Sequence, residues 1–175
     1  MSKTMTNAIR IHETGAANVM KLEQVELGEP GPGEVLLRQH AIGVNYIDVY
    51  FRSGIYKQPM PGSIGMEGAG IIEKIGPDVT LFKVGDRVAY AGGPTGSYSE
   101  ARIMPAKVLV HLPKELSFEQ GAAMMLQGMT VQYLVKDVYQ IKKGDTVLFH
   151  AAAGGVGLIA SQWIKALGGL SLIHI

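Results

Sequence analysis

Residues 144–162 read Gly-Asp-Thr-Val-Leu-Phe-His-Ala-Ala-Ala-Gly-Gly-Val-Gly-Leu-Ile-Ala-Ser-Gln, and this stretch decides the fold. The pattern predicts a buried parallel strand over 146–150, a turn of very small residues over 151–155, and a helix over 156–167. A strand that runs through glycines into a helix gathers backbone N–H groups at the helix N-terminus. Such a point binds a pyrophosphate, which usually belongs to a dinucleotide cofactor of a redox enzyme.

The glycines of this turn have an unusual spacing. Gly154, Gly155 and Gly157 are crowded together, and Ala152 stands where the first glycine of the usual fingerprint would be. Glycine also marks plain turns, but the strand before and the helix after favour a phosphate-binding turn. The alternative is that Gly157 only lets the helix pack close to the sheet. The predicted cofactor-binding residues of the turn are Ala153, Gly154, Gly155, Val156 and Gly157.

Composition excludes several other classes of protein. The 175 residues carry a net charge of +1 without any basic run, so we expect no nucleic-acid partner. There is no apolar stretch of membrane-spanning length, and the N-terminus lacks the apolar core of a secretion signal. We therefore expect no membrane partner and a soluble, cytoplasmic protein. Cysteine is absent, which excludes disulfides and thiolate metal sites among these residues.

The chain changes character after its first two thirds. Short apolar strands separated by glycine and proline turns over 5–112 predict a small β barrel or curled sheet, with one helix over 46–53 that ends at Gly54. Ser117 then predicts the N-cap of a helix. Further along that helix Met124, Met125 and Met129 are expected to fill a core. The predicted class is mixed, a β-rich domain over 1–116 followed by an incomplete α/β Rossmann domain over 117–169.

Four motifs together point to a known family. They are Gly43-Val-Asn-Tyr-Ile-Asp-Val-Tyr-Phe-Arg-Ser-Gly54, Gly65-Met-Glu-Gly-Ala-Gly70, Val84-Gly-Asp-Arg-Val88 and Phe149-His-Ala-Ala-Ala-Gly-Gly-Val-Gly-Leu-Ile-Ala160. With them the chain, from about Asn7 to Gly168, resembles the zinc-independent, zeta-crystallin-like quinone oxidoreductases of the medium-chain dehydrogenase/reductase superfamily. The resemblance implies a GroES-like barrel over 1–116, a Rossmann domain that begins over 117–169, and NADPH in the cleft between them.

The same resemblance sets an expectation for the end of the chain. Family members are roughly twice this length, which is a two-domain size. Residues 170–175 do not match the second Rossmann strand of the family, and we expect them to be a tail of different origin on a C-terminally truncated chain. NADPH rather than NADH is implied by the resemblance alone, because the residues that choose between them stand at the end of the second strand, which we expect to lie beyond these 175 residues. The family also implies a homodimer.

The residues at the position of the family's catalytic metal are not typical zinc ligands. Zinc-bearing relatives have Gly-His-Glu where this chain has Gly65, Met66 and Glu67, and methionine is a poor zinc ligand. We therefore predict no metal site and expect Glu67 to be an ion-paired structural carboxylate. Reduction of a simple ketone needs a Lewis acid or a placed proton donor, whereas a quinone spreads the added charge over its ring. A quinone is the predicted acceptor; the alternatives are an enone or alkenal reductase, or an inactive fragment with a binding or structural role.

Two residues of the first motif are the predicted catalytic residues. The resemblance implies that Asn45 and Tyr50 line the nicotinamide and acceptor pocket. The Asn45 amide can hydrogen-bond a carboxamide or a carbonyl, and Tyr50 offers a flat face and a hydroxyl. The alternatives are an N-cap or turn role for Asn45 and simple packing for Tyr50. Asp48 and Arg52 stand at i and i+4 and are expected to form an ion pair.

The helix before the glycine turn adds one more predicted cofactor contact. The resemblance implies that Thr130 contacts the nicotinamide end of the cofactor. The alternative is an ordinary helical hydroxyl that bonds back to the carbonyl four residues earlier. His150, at the end of the predicted strand, is expected to bond a loop rather than the cofactor.

Overall fold

A computed structural model describes residues 4–173, and these fall into two compact units that divide between Met125 and Leu126. In the first unit lie β1 (Thr4–Ile11), β2 (Lys21–Leu27), β3 (Glu34–Gly43), α1 (Tyr46–Ser53), β4 (Gly62–Ser63), β5 (Glu67–Ile75), β6 (Arg87–Ala91), β7 (Ala101–Pro105) and β8 (Leu109–His111). Helix α2 (Phe118–Gln132) runs from the first unit into the second, and a π-helical turn (Tyr133–Val138) follows it. The second unit then holds β9 (Thr146–Phe149), α3 (Gly155–Ala166) and β10 (Leu170–Ile173).

The strands of the first unit form two antiparallel sheets. The larger has the order β7-β3-β5-β6-β8, and the smaller has the order β2-β1-β4. A bridge between Ala8 and Ser99, with a 2.7 Å hydrogen bond from the Ile9 N–H to the Tyr98 carbonyl, joins β1 to the loop before β7. This arrangement confirms the predicted β-rich first domain and the mixed fold class.

The core of the first unit lies on the inner face of the larger sheet. Four neighbouring strands, β7, β3, β5 and β6, supply side chains with almost no exposure: Val35, Leu37, Ile72, Val88, Tyr90 and Met104. In β3, Leu36 is also buried, so this strand is covered on both faces where it passes between β5 and β7. Burial of such side chains is the main contribution to the stability of the unit.

Helix α1 has the limits that the sequence predicted. Asn45 is extended at the N-cap, and its N–H donates to the Asp48 carboxylate at 2.9 Å. Gly54 ends the helix with φ of 84°, a left-handed conformation that glycine adopts without steric cost. These local signals place the end of β3, the first helical turn and Asn45 beside one another.

Helix α2 also begins where expected, but the methionine prediction is wrong at two positions. Met125 packs partly buried against the cluster that contains Ala122. Met124 and Met129, in contrast, are 43% and 53% exposed. The buried positions Ala122 and Val131 are each two residues away from them, which is about 200° around a helix and therefore the opposite face.

The second unit is a parallel β-α-β arrangement around a small core. Strand β10 pairs with β9 in parallel register, Thr146 opposite Leu170. Strand β9 is not fully buried as predicted: Val147 and Phe149 pack on the core, whereas Leu148 is 64% exposed. The reason is that alternate side chains of a strand point to opposite faces, and the described core of this unit lies against one of them.

The predicted tail forms a strand over most of its length. Residues 170–173 are β10, and residues 174 and 175 lie outside the described part of the chain. The Leu170 N–H donates to the Asp145 carbonyl at 2.8 Å, which starts the pairing with β9. Backbone hydrogen bonds hold this segment beside β9, and they do not depend on which side chains it carries. Within residues 4–173, no helix has both the length and the apolarity to cross a bilayer.

Candidate functional site

The glycine turn ends in a helix N-terminus that no side chain caps. Gly154 stands at the N-cap of α3 in an extended conformation and makes no side-chain capping hydrogen bond. No acidic residue lies in the first turn of α3. The first N–H groups of a helix have no partner inside it, and they carry its positive dipole end. The N-terminus of α3 therefore offers N–H groups to an anion, and its own first turn carries no carboxylate that would repel one.

The glycines of the turn have different environments. Ala153, Gly154 and Gly155 are exposed, and Val156 is half-buried. A side chain at Gly155 would meet the end of the flexible Gln127 side chain, whereas one at buried Gly157 would meet the backbone of Ala152.

These environments bear differently on the two predictions for the turn. Gly157 serves close packing, although against the turn itself rather than the sheet. Exposed Gly154 and Gly155 leave backbone open at the N-terminus of α3, which fits the pyrophosphate of a dinucleotide.

The Thr130 hydroxyl is engaged inside its own helix. It donates to the Leu126 carbonyl at 2.8 Å, which is the alternative that the sequence offered for this residue. The hydroxyl oxygen keeps acceptor capacity, so a cofactor contact stays a prediction. His150 is exposed directly after β9, and its predicted loop contact likewise stays a prediction.

Asn45 lines a cavity of about 290 Å³ in the first unit. The cavity is bounded by Met20, Val44, Asn45, Asp48, Val49, Arg52, Ile64 and Tyr98. The Asn45 residue is 9% exposed, and its side-chain Nδ2 donates to Glu67 Oε2 at 2.6 Å. Asn45 therefore holds the N-cap position that the sequence offered as an alternative, while its amide reaches across to β5.

Glu67 is the most deeply buried carboxylate near this cavity, at 1% exposure. It is the first residue of β5 and pairs with Gly43 on β3. The Glu67 carboxylate accepts a hydrogen bond from the Asn45 amide. The ion pair that the sequence predicted for Glu67 stays a prediction.

Tyr50 lies in an aromatic cluster and not among the residues that line the Asn45 cavity. Its ring meets Tyr46 and Tyr56 edge-on, with ring centroids 5.4 Å and 5.5 Å apart. Phe51 also contacts Tyr56 edge-on. The structure thus separates the two predicted catalytic residues into different surroundings. Sequence reasoning missed Tyr46 and Tyr56; the i, i+4 spacing of Tyr46 and Tyr50 was a signal for the first.

Asp48 does not form the expected ion pair with Arg52. Among the described residues, no ion pair within 4.0 Å joins these two side chains. Asp48 Oδ2 instead accepts from the Asn45 N–H and, at 3.0 Å, from the Tyr98 hydroxyl. Tyr98 comes from the loop before β7, fifty residues away, so helical spacing alone gave no sign of it.

Burial raises the pKa values of both Asp48 and Tyr98. Loss of hydration raises the pKa of Asp48, and the hydrogen bonds from Asn45 and Tyr98 partly oppose this rise. The pKa of Tyr98 is also raised, first by burial and then by the neighbouring Asp48 charge. Across residues 4–173, no cluster of three histidine, cysteine or acidic side chains is placed to hold a metal ion.

Known proteins resemble this chain over most of its length. Residues 31–114 match the alcohol dehydrogenase GroES-like domain. A quinone oxidoreductase of Pseudomonas aeruginosa is 53% identical over 165 residues, and a 2-haloacrylate reductase of a Burkholderia species is 44% identical over 170 residues. These regions cover 94% of this chain and 51% of each relative. The crystal structure of Escherichia coli quinone oxidoreductase complexed with NADPH superposes with a TM-score of 0.92 at 44% identity, covering 94% of this chain and 51% of that one. The chain thus spans about half the length of these relatives.

Proposed function

The chain is homologous to the quinone oxidoreductases of the medium-chain dehydrogenase/reductase superfamily, and from that homology we propose that the protein passes reducing equivalents from NADPH to a quinone. We propose further that the reaction needs no metal ion, since Met66 stands beside Glu67 in a chain without cysteine. We propose in the same way that residues 1–116 form a GroES-like domain and that residues 117–169 begin a Rossmann domain. The small-molecule partner is a quinone.

The uncapped N-terminus of α3 is the observation that carries the proposal. Its first-turn N–H groups are open to an anion beside exposed Gly154 and Gly155, as a pyrophosphate requires. When bound, NADPH supplies the hydride for reduction. In this proposal Ala153, Gly154, Gly155, Val156 and Gly157 hold the phosphates through backbone groups, and Thr130 contacts the nicotinamide end.

Asn45 and Tyr50 have separate roles in the proposal, as their surroundings differ. The buried Asn45 amide makes a directional hydrogen bond to a carboxamide or a carbonyl. Tyr50, in its cluster with Tyr46 and Tyr56, offers ring edges and faces on which a planar acceptor can stack.

The second candidate function keeps the chemistry but changes the acceptor. One relative is a 2-haloacrylate reductase at 44% identity, and an acrylate is an alkene conjugated to a carboxyl group. An activated alkene, like a quinone, accepts a hydride at carbon and spreads the charge onto oxygen. This relative favours an activated-alkene reductase as the alternative.

A hybrid enzyme separates the candidate functions. The chain replaces the matched half of the Pseudomonas aeruginosa relative, and turnover is followed as NADPH oxidation with 1,4-benzoquinone and with 2-chloroacrylate. We expect kcat/KM to be higher with the quinone. A higher value with 2-chloroacrylate favours the alternative, and turnover of neither acceptor contradicts both.

The 175-residue chain by itself tests cofactor binding. If its glycine turn binds NADPH, saturating NADPH raises Tm by mass action, because it binds the folded state. An unchanged Tm favours the third alternative, a chain with only a binding or structural role. Sedimentation of the hybrid tests the homodimer that the resemblance implies.

A further inference from the structure

We propose that Glu67 is a positioning residue that holds the Asn45 amide in one orientation toward its ligand. This inference rests on the proposed function, because it takes Asn45 as a ligand-contacting residue. Both side chains are buried, and Asn45 Nδ2 lies 2.6 Å from Glu67 Oε2. At this distance the hydrogen bond is short for an N–H donor and an oxygen acceptor.

Glu67 is suited to this task because the carboxyl oxygen that faces Asn45 acts as a hydrogen-bond acceptor. The two ends of an amide have nearly the same shape but opposite hydrogen-bonding character. The Glu67 oxygen that faces Asn45 accepts from the nitrogen end of the amide, and a half-turn would bring the oxygen end against it and break this hydrogen bond. The second N–H and the carbonyl oxygen of Asn45 then keep fixed directions.

The backbone around Glu67 makes room for its carboxylate. Glu67 lies on β5 between β3 and β6, opposite Gly43 on one side and Ala91 on the other. A side chain at Gly43 would overlap the Glu67 carboxylate and press on the Ala122 carbonyl oxygen. The carboxylate thus lies at the start of a central strand, in space that the missing Cβ of Gly43 leaves open.

The backbone of Asn45 is fixed without help from Glu67. Its N–H donates to Asp48 Oδ2, and its carbonyl accepts from the Asp48 N–H at 3.0 Å. Loss of the Glu67 carboxylate therefore removes the hydrogen bond from the Asn45 amide nitrogen, while the start of α1 keeps its own hydrogen bonds. Positioning and folding can be separated by experiment for this reason.

The first test needs no activity and uses the 175-residue chain. The side-chain NH₂ signals of Asn45 are assigned in ¹⁵N spectra by their loss in Asn45→Ala. We expect one Asn45 amide proton to be shifted downfield and slow to exchange with solvent. Glu67→Leu should abolish both properties, and Glu67→Gln should weaken them. Glu73→Gln, on the same strand but exposed beside Arg38, is the control and should change neither. An Asn45 signal that stays the same in Glu67→Leu and Glu67→Gln overturns the proposal.

The second test measures kinetics in the hybrid enzyme. We expect Glu67→Leu to lower kcat/KM about tenfold, because the buried Asn45 amide loses the hydrogen bond that fixes its orientation. In the background of Asn45→Ala the same substitution should have little further effect, since Glu67 acts through Asn45.

Additive losses in the double variant contradict positioning and indicate a general structural role. A hybrid without turnover contradicts the proposed function, and the NMR result then decides the orientation of Asn45 by itself.

Discussion

At the residue scale, the glycine turn depends on the missing side chain of Gly157. A Cβ at this position would lie closer to the Ala152 backbone than the 3.0 Å below which real Cβ atoms are essentially never found. Backbone cannot move aside as a flexible side chain can, and Ala152 is itself buried in the turn. The turn and the first residues of α3 would have to separate.

We expect Gly157→Ala to destabilise the second unit by about 1–3 kcal/mol, the usual range for overpacking. Urea unfolding followed by the fluorescence of Trp163, the single tryptophan and part of α3, measures the change. Gly128→Ala is the matched control, because its Cβ would meet nothing within 4 Å inside α2. The control should gain up to about 1 kcal/mol, since alanine favours a helix over glycine. Equal effects of the two substitutions would contradict this account of Gly157.

Asp48 makes a pH-dependent contribution to stability. Burial raises the pKa of Asp48 above 3.8, so the folded chain binds this proton more tightly than the unfolded chain does. The contribution therefore favours folding below pH 3.8 and is lost as the pH rises through the raised pKa. Asp48→Asn removes this titration and keeps an acceptor for the Asn45 N–H.

Urea unfolding of both chains between pH 3 and pH 7, roughly the acid range in which carboxyl groups titrate, tests this sign. We expect the stability of Asp48→Asn relative to the parent chain to increase with pH across the lower part of that range. A constant difference would show that Asp48 has the same pKa in the folded and unfolded chains.

At the element scale, α2 starts with reciprocal hydrogen bonds. The Ser117 hydroxyl accepts from the Gln120 N–H at 3.1 Å, and the Gln120 side chain accepts from the Ser117 N–H at 2.9 Å. This is a capping box, which satisfies two N–H groups that the helix leaves without partners. The start of this helix is therefore fixed by hydrogen bonds between residues three apart in the sequence.

Ser117→Ala should cost about 1 kcal/mol, as for other N-cap serines. Hydrogen exchange of the first-turn amides of α2 gives the most direct measurement. Ser53→Ala is the control, because the Ser53 hydroxyl makes only a 3.5 Å contact to the Tyr50 carbonyl. If both substitutions accelerate exchange in their own helices equally, the capping box is not what holds the start of α2.

At the scale of the whole molecule, the two units differ in the size of their cores. The first has a continuous sheet of five strands, whereas the described core of the second is built on four fully buried residues: Val131, Val135, Ala160 and Ile164. Small units bury a smaller fraction of their surface on folding, so their free energy of unfolding is lower. Leu148, Leu158 and Leu170 of the second unit are each more than half exposed.

We therefore expect amide hydrogens of β9 and α3 to exchange at lower opening free energies than those of β3 and β5. Hydrogen exchange with mass spectrometry on the 175-residue chain measures both sets in one sample. Simultaneous exchange of the two sets would mean that the units unfold as one cooperative block.

Local signals explain which features the sequence determined by itself. Asn45 and Gly54 bound α1, Ser117 starts α2, and the run of glycines separates β9 from α3. Each of these depends on residues within one helical turn or one strand, and propensities and caps act over that distance. The β-rich first domain follows for the same reason, from alternating short strands and their turns.

Only the tertiary structure decided the partners that come from elsewhere in the chain. Glu67 meets Asn45 across 22 residues, and Tyr98 takes the Asp48 carboxylate that helical spacing assigned to Arg52. Residues 170–173 pair with β9 as a parallel strand. Such contacts depend on how strands and loops are brought together, and backbone pairing accepts almost any side chain. Exposure is decided in the same way. Whether Leu148 is covered depends on which neighbours lie against its face, and the sequence pattern within β9 does not predict those neighbours.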